Sequence, residues 1–323
     1  RNLLRGDVLT VAFTWCLAEY DRDPRQYHGQ DLFWQYQMVI GQLANLADVS
    51  RAKLEELLDD LGRRLRAAGR SLLPVYITQR SIAADLGDRA LARASKESIR
   101  RHLLAHGRRE YAGSRSDEIE TEIFLGEEEE ALRLAQPLLT GNFAREDGGV
   151  EAGCAAHLLV PLLKRRRFAE AERLEQRCSR FYHPEQCYYW WHGELLKWLT
   201  LTNKLARAVR VYEECQRAIH PFTDPLTRLH FALDAVVFFD RLRREGRRTL
   251  PLRLPDWLSL PARDGHYGVE ALGEWLHREA DDLAERFDRR NGTDHFRAQI
   301  QERKEIQRWA MTDPPSRSES AER

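Results

Sequence analysis

Apolar residues recur along most of this chain at the spacing of one helix face. From Leu205 they fall at Leu205, Ala208, Val209, Tyr212 and Cys215, a stripe with the period of an α-helix. Similar stripes run through Phe33, Tyr36, Ile40, Leu43 and Ala47, and through Leu54, Leu57, Leu58, Leu61 and Leu65. The spacing predicts helices over 3–20, 31–47, 50–68, 72–85, 88–105, 225–244 and 269–291. Two further hairpins are predicted over 117–139 and 150–181, and another over the aromatic-rich stretch 183–221. Pro74 falls in a first turn, where its missing N–H is tolerated, and Pro137 is expected to end or kink its helix. No strand-like alternation enters the prediction, so the expected class is all-α.

The helical stretches repeat. A small residue opens the second helix of each predicted hairpin at Ala52, Ala92, Ala131, Ala171 and Ala208, with separations of 40, 39, 40 and 37. Small side chains let paired helices approach closely, and Gly87 and Gly126 stand five residues before two of them, where a tight turn needs positive φ. A period of this length is the mark of stacked helical hairpins. Ala208, then Tyr212 four residues on, then Pro221 resembles the second-helix signature of the tetratricopeptide repeat family. In the other copies Glu56, Lys96, Ala135 and Glu175 stand at the aromatic position. The resemblance covers residues 30–240 and implies a right-handed α-solenoid of about five antiparallel hairpins, with the first helices lining a concave groove. The organisation expected is an N-terminal helix and loop (1–30), repeats (31–245), a Pro-rich crossover with capping helices (246–310) and a disordered tail (311–323).

Composition changes this picture little. The 323 residues carry 51 basic and 51 acidic side chains, so no net field favours nucleic acid or an anionic membrane. The basic runs 164–167 and 241–248 read as solvated turns and helix ends rather than as a phosphate-binding face. No apolar run reaches the length of a membrane span. The five cysteines lack a CxxC spacing; Cys178 and Cys215 fall at core positions, which reads as a reducing, cytoplasmic setting. The excess of Arg over Lys is the codon signature of a bacterial genome. The first residue is Arg, which reads as a piece or a processed form.

Candidate chemistry is sparse. His183, Cys187 and His192 have a spacing that could gather zinc ligands, but no fourth ligand is evident. His102 and His106 stand at i, i+4 without the Glu of a metalloprotease helix. No G-x-S-x-G elbow, dinucleotide fingerprint or P-loop occurs. No catalytic activity and no cofactor is therefore expected. The strongest pointer is aromatic: Tyr188, Tyr189, Trp190, Trp191 and Trp198 cannot all share one helix face. Counting back from each small residue places Trp34, Gln37, Glu120, His157, Trp190 and Lys197 on the concave surface that the family resemblance implies. The expectation is a scaffold that binds a protein or peptide there. The alternatives are a sensor domain whose peptide or small-molecule ligand controls an effector, with 140–149 as a hinge, and a metal-dependent helical enzyme.

Overall fold

The computed structural model describes residues 6–24, 26, 29–105, 112–140, 148–180, 189–219 and 223–312. Fifteen helices account for most of the described residues, in line with the all-α expectation. The N-terminal part contains α1 (Gly6–Arg22), α2 (Gly29–Ala44), α3 (Arg51–Ala67), α4 (Leu73–Ala83) and α5 (Arg89–Ala105). The middle contains α6 (Ala112–Leu125), α7 (Glu128–Leu134), α8 (Gln136–Leu139), α9 (Gly148–Lys164) and α10 (Phe168–Arg180). Then come α11 (Tyr189–Leu201), α12 (Leu205–Ala218), α13 (Pro225–Arg244), α14 (Val269–Asn291) and α15 (His295–Thr312). The Pro-rich crossover before α14 interrupts the run of α-helices. It holds a three-stranded antiparallel sheet, β1 (Thr249–Pro251), β2 (Ala262–Arg263) and β3 (His266–Gly268), in the order β1-β3-β2. Prolines 251, 255 and 261 exclude a long α-helix there, and only a single 3-10 turn, Asp256–Leu258, stands beside the sheet.

Four hairpins, α4–α5, α6–α7, α9–α10 and α11–α12, share one turn. Gly87, Gly126, Arg166 and Asn203 each take positive φ. The next amide bonds back five residues, as in Asp88 N to Ala83 O and Lys204 N to Leu199 O, which closes the first helix. Four residues further on lies the small residue, and Ala92, Ala131, Ala171 and Ala208 are all fully buried. Ala52 does not follow. Its side chain is exposed, and the fourth position of α3 is Leu54, fully buried. The α2–α3 turn is longer and is capped by Ser50, whose Oγ accepts the Lys53 amide at 3.2 Å.

Like positions of successive hairpins meet. Contacts across 37 residues recur at Arg51–Asp88 (2.5 Å), Arg80–Asp117 (3.1 Å), Glu128–Arg165, Lys197–Asp234 (3.2 Å) and Asp240–His277 (3.1 Å). The basic turn at 164–167 is thereby neutralised: Arg165 also meets Glu129 at 2.7 Å, and Arg167 meets Glu170. First helices pack on first helices, α2 on α4, α4 on α6, α6 on α9, α9 on α11 and α11 on α13.

The row curls until its end meets its beginning. The Leu226 amide of α13 donates to Asn45 O, and His230 approaches Asp85 at 3.7 Å. At the α14–α15 junction Arg290 Nη1 donates to Ala44 O (2.5 Å) and Leu46 O (3.1 Å), and Asn291 Nδ2 to Asp85 O (2.8 Å). His295 sits so close to Gly87 that a Cβ there would lie 2.5 Å from the His295 Cβ. Thirteen of the twenty residues of α13 are buried, which is why its sequence is apolar nearly all round.

Candidate functional site

The six residues expected on one surface are divided by the fold. Lys197 of α11 is 5 % exposed and ion-paired. Its Nζ lies 2.8 Å from Glu194 Oε1 and 3.2 Å from Asp234 Oδ1, an oxygen that also accepts from Arg303 Nε at 2.8 Å. Burial opposes the Asp234 charge, but Arg303 and Lys197 outweigh it and hold this carboxyl below its ordinary range. Gly193 makes the approach possible, since a Cβ there would stand 2.7 Å from Asp234 Oδ2. Lys197 thus joins α11, α13 and α15 instead of facing a partner, and this corrects its assignment to an open groove. The side chain of Trp190 lies outside the described residues, as do Tyr188, His183 and Cys187. Trp191 and Trp198 are core residues, each 1 % exposed.

Glu120 of α6 and His157 of α9 do come together, at 3.8 Å. Burial raises the Glu120 pKa against the opposing pull of His157, and Ser116 donates to the carboxyl at 3.4 Å. Here the hydroxyl is held by the carboxylate rather than by the imidazole, unlike the order that activates a nucleophile. Close by, Asp85 faces His230, and His295 stacks edge-on against Phe124 at 5.5 Å. Burial, and then the neighbouring His230, lowers the His295 pKa to about 4. Among the described residues, no three His, Cys, Asp or Glu side chains converge as metal ligands. His102 accepts or donates at 2.8 Å to Ser71, a structural contact; His106 lies outside the described residues.

Trp34 remains, and it is 61 % exposed. It belongs to α2, one turn from Met38 at 45 %, while Gln37 between them is half-buried and accepts from Thr78 of α4 at 3.5 Å. The α1 residues Val11 and Trp15, at 72 % and 65 %, are also one turn apart. The rings of Phe13 and Tyr36 touch, with centroids 4.9 Å apart. Val11 and Trp15 each stand two residues from Phe13, and Trp34 and Met38 each stand two from Tyr36. Two residues turn a helix by about 200°, so both pairs face away from that contact. Four of the five large exposed apolar side chains among the described residues lie on α1 and α2; Leu104 is the fifth.

A signal for this face was present in the chain. Residues 8–18 and 32–47 contain no Asp, Glu, Lys or Arg, although 32 % of the protein is charged. Among the described residues, no helix is long and apolar enough to cross a membrane. No protein-family model, curated protein or solved structure matches the chain.

Proposed function

We propose that the chain is a tetratricopeptide-like helical scaffold that binds a protein or peptide through the outer faces of its first two helices, α1 and α2. The right-handed solenoid reading is supported by the four like turns and by the contacts that recur across 37 residues. One observation carries the functional reading: Trp15 and Trp34 stand exposed with Val11 and Met38 on helices free of charge over their middle turns. Aromatic and thioether side chains in a charge-depleted patch have the composition of an interface core, and Trp is a frequent hot spot. Recognition moves from the concave groove to the end of the array, because α13 and α15 fill the space around Lys197.

The test is a photo-crosslinking amino acid placed at Trp34, and in a second variant at exposed Glu56 on α3, in the source cells. A discrete protein adduct at position 34 that is absent at position 56 is the expected outcome. Adducts at 56 alone, or at neither position, refute the reading.

A further inference from the structure

Independently of the α1 and α2 faces, we infer that the small sheet before α14 is a second binding surface, and that its ligand is the phosphate backbone of a nucleic acid. The first argument is charge. Residues 241–268 hold seven arginines, no lysine and three carboxylates, an excess of four positive charges in a chain whose formal charge sums to zero. The fold neutralises only part of it. Arg241 meets Glu245 at 2.8 Å, and Arg243 meets Asp240 at 3.4 Å and Glu270 at 3.5 Å. Arg247, Arg248, Arg253 and Arg263 are exposed, and none of them pairs with a carboxylate among the described residues. The other basic run, 164–167, differs in this respect, since Glu128, Glu129 and Glu170 hold Arg165 and Arg167.

The second argument is the way the sheet presents that charge. Pro251 pairs with His266 and His266 with Arg263, so the three side chains stand in one row, neighbours about 5 Å apart. Along β1 and the residues after it, Leu250, Leu252 and Leu254 are buried in the core, while Thr249, Pro251 and Arg253 alternate with them and are exposed. Arg253 and Arg263 thus share the outward face with His266. Asp264 and Gly265 both take positive φ, 52° and 72°, in the type I′ turn that fixes the register of β2 and β3. His266 Nδ1 donates to the Asp264 carbonyl at 2.9 Å, which holds the ring in place. Planar guanidinium groups suit phosphate, whose oxygens they can grip two at a time. None of the five large exposed apolar side chains among the described residues lies on this face. A peptide hot spot or a lipid surface draws on such groups, whereas backbone phosphates need only cations and donors.

Fluorescence anisotropy of a labelled DNA strand of about 20 nucleotides tests this. The expected Kd lies between about 1 and 100 μM near physiological salt, and log K should fall with log salt at a slope of about −3 for some four phosphate contacts. Arg253→Glu combined with Arg263→Glu should weaken binding by about tenfold or more and flatten the slope by about one to two. Arg253→Gln combined with Arg263→Gln should act in the same direction. Arg100→Glu combined with Arg133→Glu makes the same change in net charge at exposed arginines of α5 and α7, and should leave binding within about twofold of the wild type. Far-UV circular dichroism should be alike for all four proteins. No change in anisotropy up to about 200 μM protein overturns the inference, as does an equal loss in the Arg253/Arg263 and Arg100/Arg133 reversals. A protein that ignores the strand but binds polyglutamate, or vesicles containing phosphatidylserine, also overturns it and makes the face a contact for acidic protein or for membrane.

Discussion

At the scale of single residues, the hairpin crossings separate alanines that look alike in the chain. Ala208 is fully buried four residues after the Lys204 carbonyl that its amide bonds to, at the close contact of α12 with its neighbours. Ala52 occupies the second position of α3 and faces solvent. Arginine at 208 would force a charged chain into a packed contact and cost about 3 kcal/mol or more. At 52 the same change should cost within about 0.5 kcal/mol. Urea denaturation of Ala208→Arg and Ala52→Arg checks both figures; equal losses would mean that the two sites share one environment after all.

At the scale of elements, the docking of α15 makes stability depend on pH. His295 opens that helix, with His230, Asp85, Asp288 and Arg89 around it and Gln299 at 2.7 Å. Burial and His230 together hold its pKa at about 4, against 6.5 for the free side chain. A base with a depressed pKa binds its proton more readily in the unfolded chain. Its contribution is therefore complete above about pH 6.5 and is lost as the pH falls towards 4, a span worth on the order of 3 kcal/mol. Unfolding free energy should rise from pH 5 to 6.5 in the wild type and rise less steeply in His295→Gln. An NMR titration of His295 with a midpoint near 6.5 would remove the physical basis of this prediction.

At the scale of the whole molecule, the α14–α15 junction ties the last helices to the first turns. Arg290 is pulled down to a pKa of about 10 by burial, and it lies over the Phe287 ring at 4.9 Å. What offsets that burial is its pair of bonds to the Ala44 and Leu46 carbonyls, with Asn291 holding Asp85 O alongside. Charged hydrogen bonds of this kind contribute about 1.5–3 kcal/mol each. Arg290→Ala with Asn291→Ala should loosen the curl, seen as a larger radius of gyration in solution scattering with helix content retained. A scattering curve superimposable on the wild type would show that the apolar contacts of α13–α15 close the molecule by themselves.

Local rules were enough for the helices. The stripes, Pro74 in a first turn and Asn291-Gly292 at a helix end placed most elements within a few residues, because period and capping act over one or two turns. The burial of Ala92, Ala131, Ala171 and Ala208 was legible for the same reason, each following a turn that its own residues specify. Ala52 was misplaced because the Ser50-capped turn shifts the register by two. The small sheet was missed because its strands are only two or three residues long and gain their pairing from β3. The candidate site was hardest to read. A stripe shows which face of α11 is apolar, but not that α13 and α15 return to cover it and bury Lys197 against Asp234 and Arg303. Those partners lie 37 and 106 residues away, and no local periodicity encodes a contact across such a distance. Sequence by itself determined the helices and the charge-free stretches of α1 and α2; only the tertiary closure decided which aromatic residues are core and which face outward.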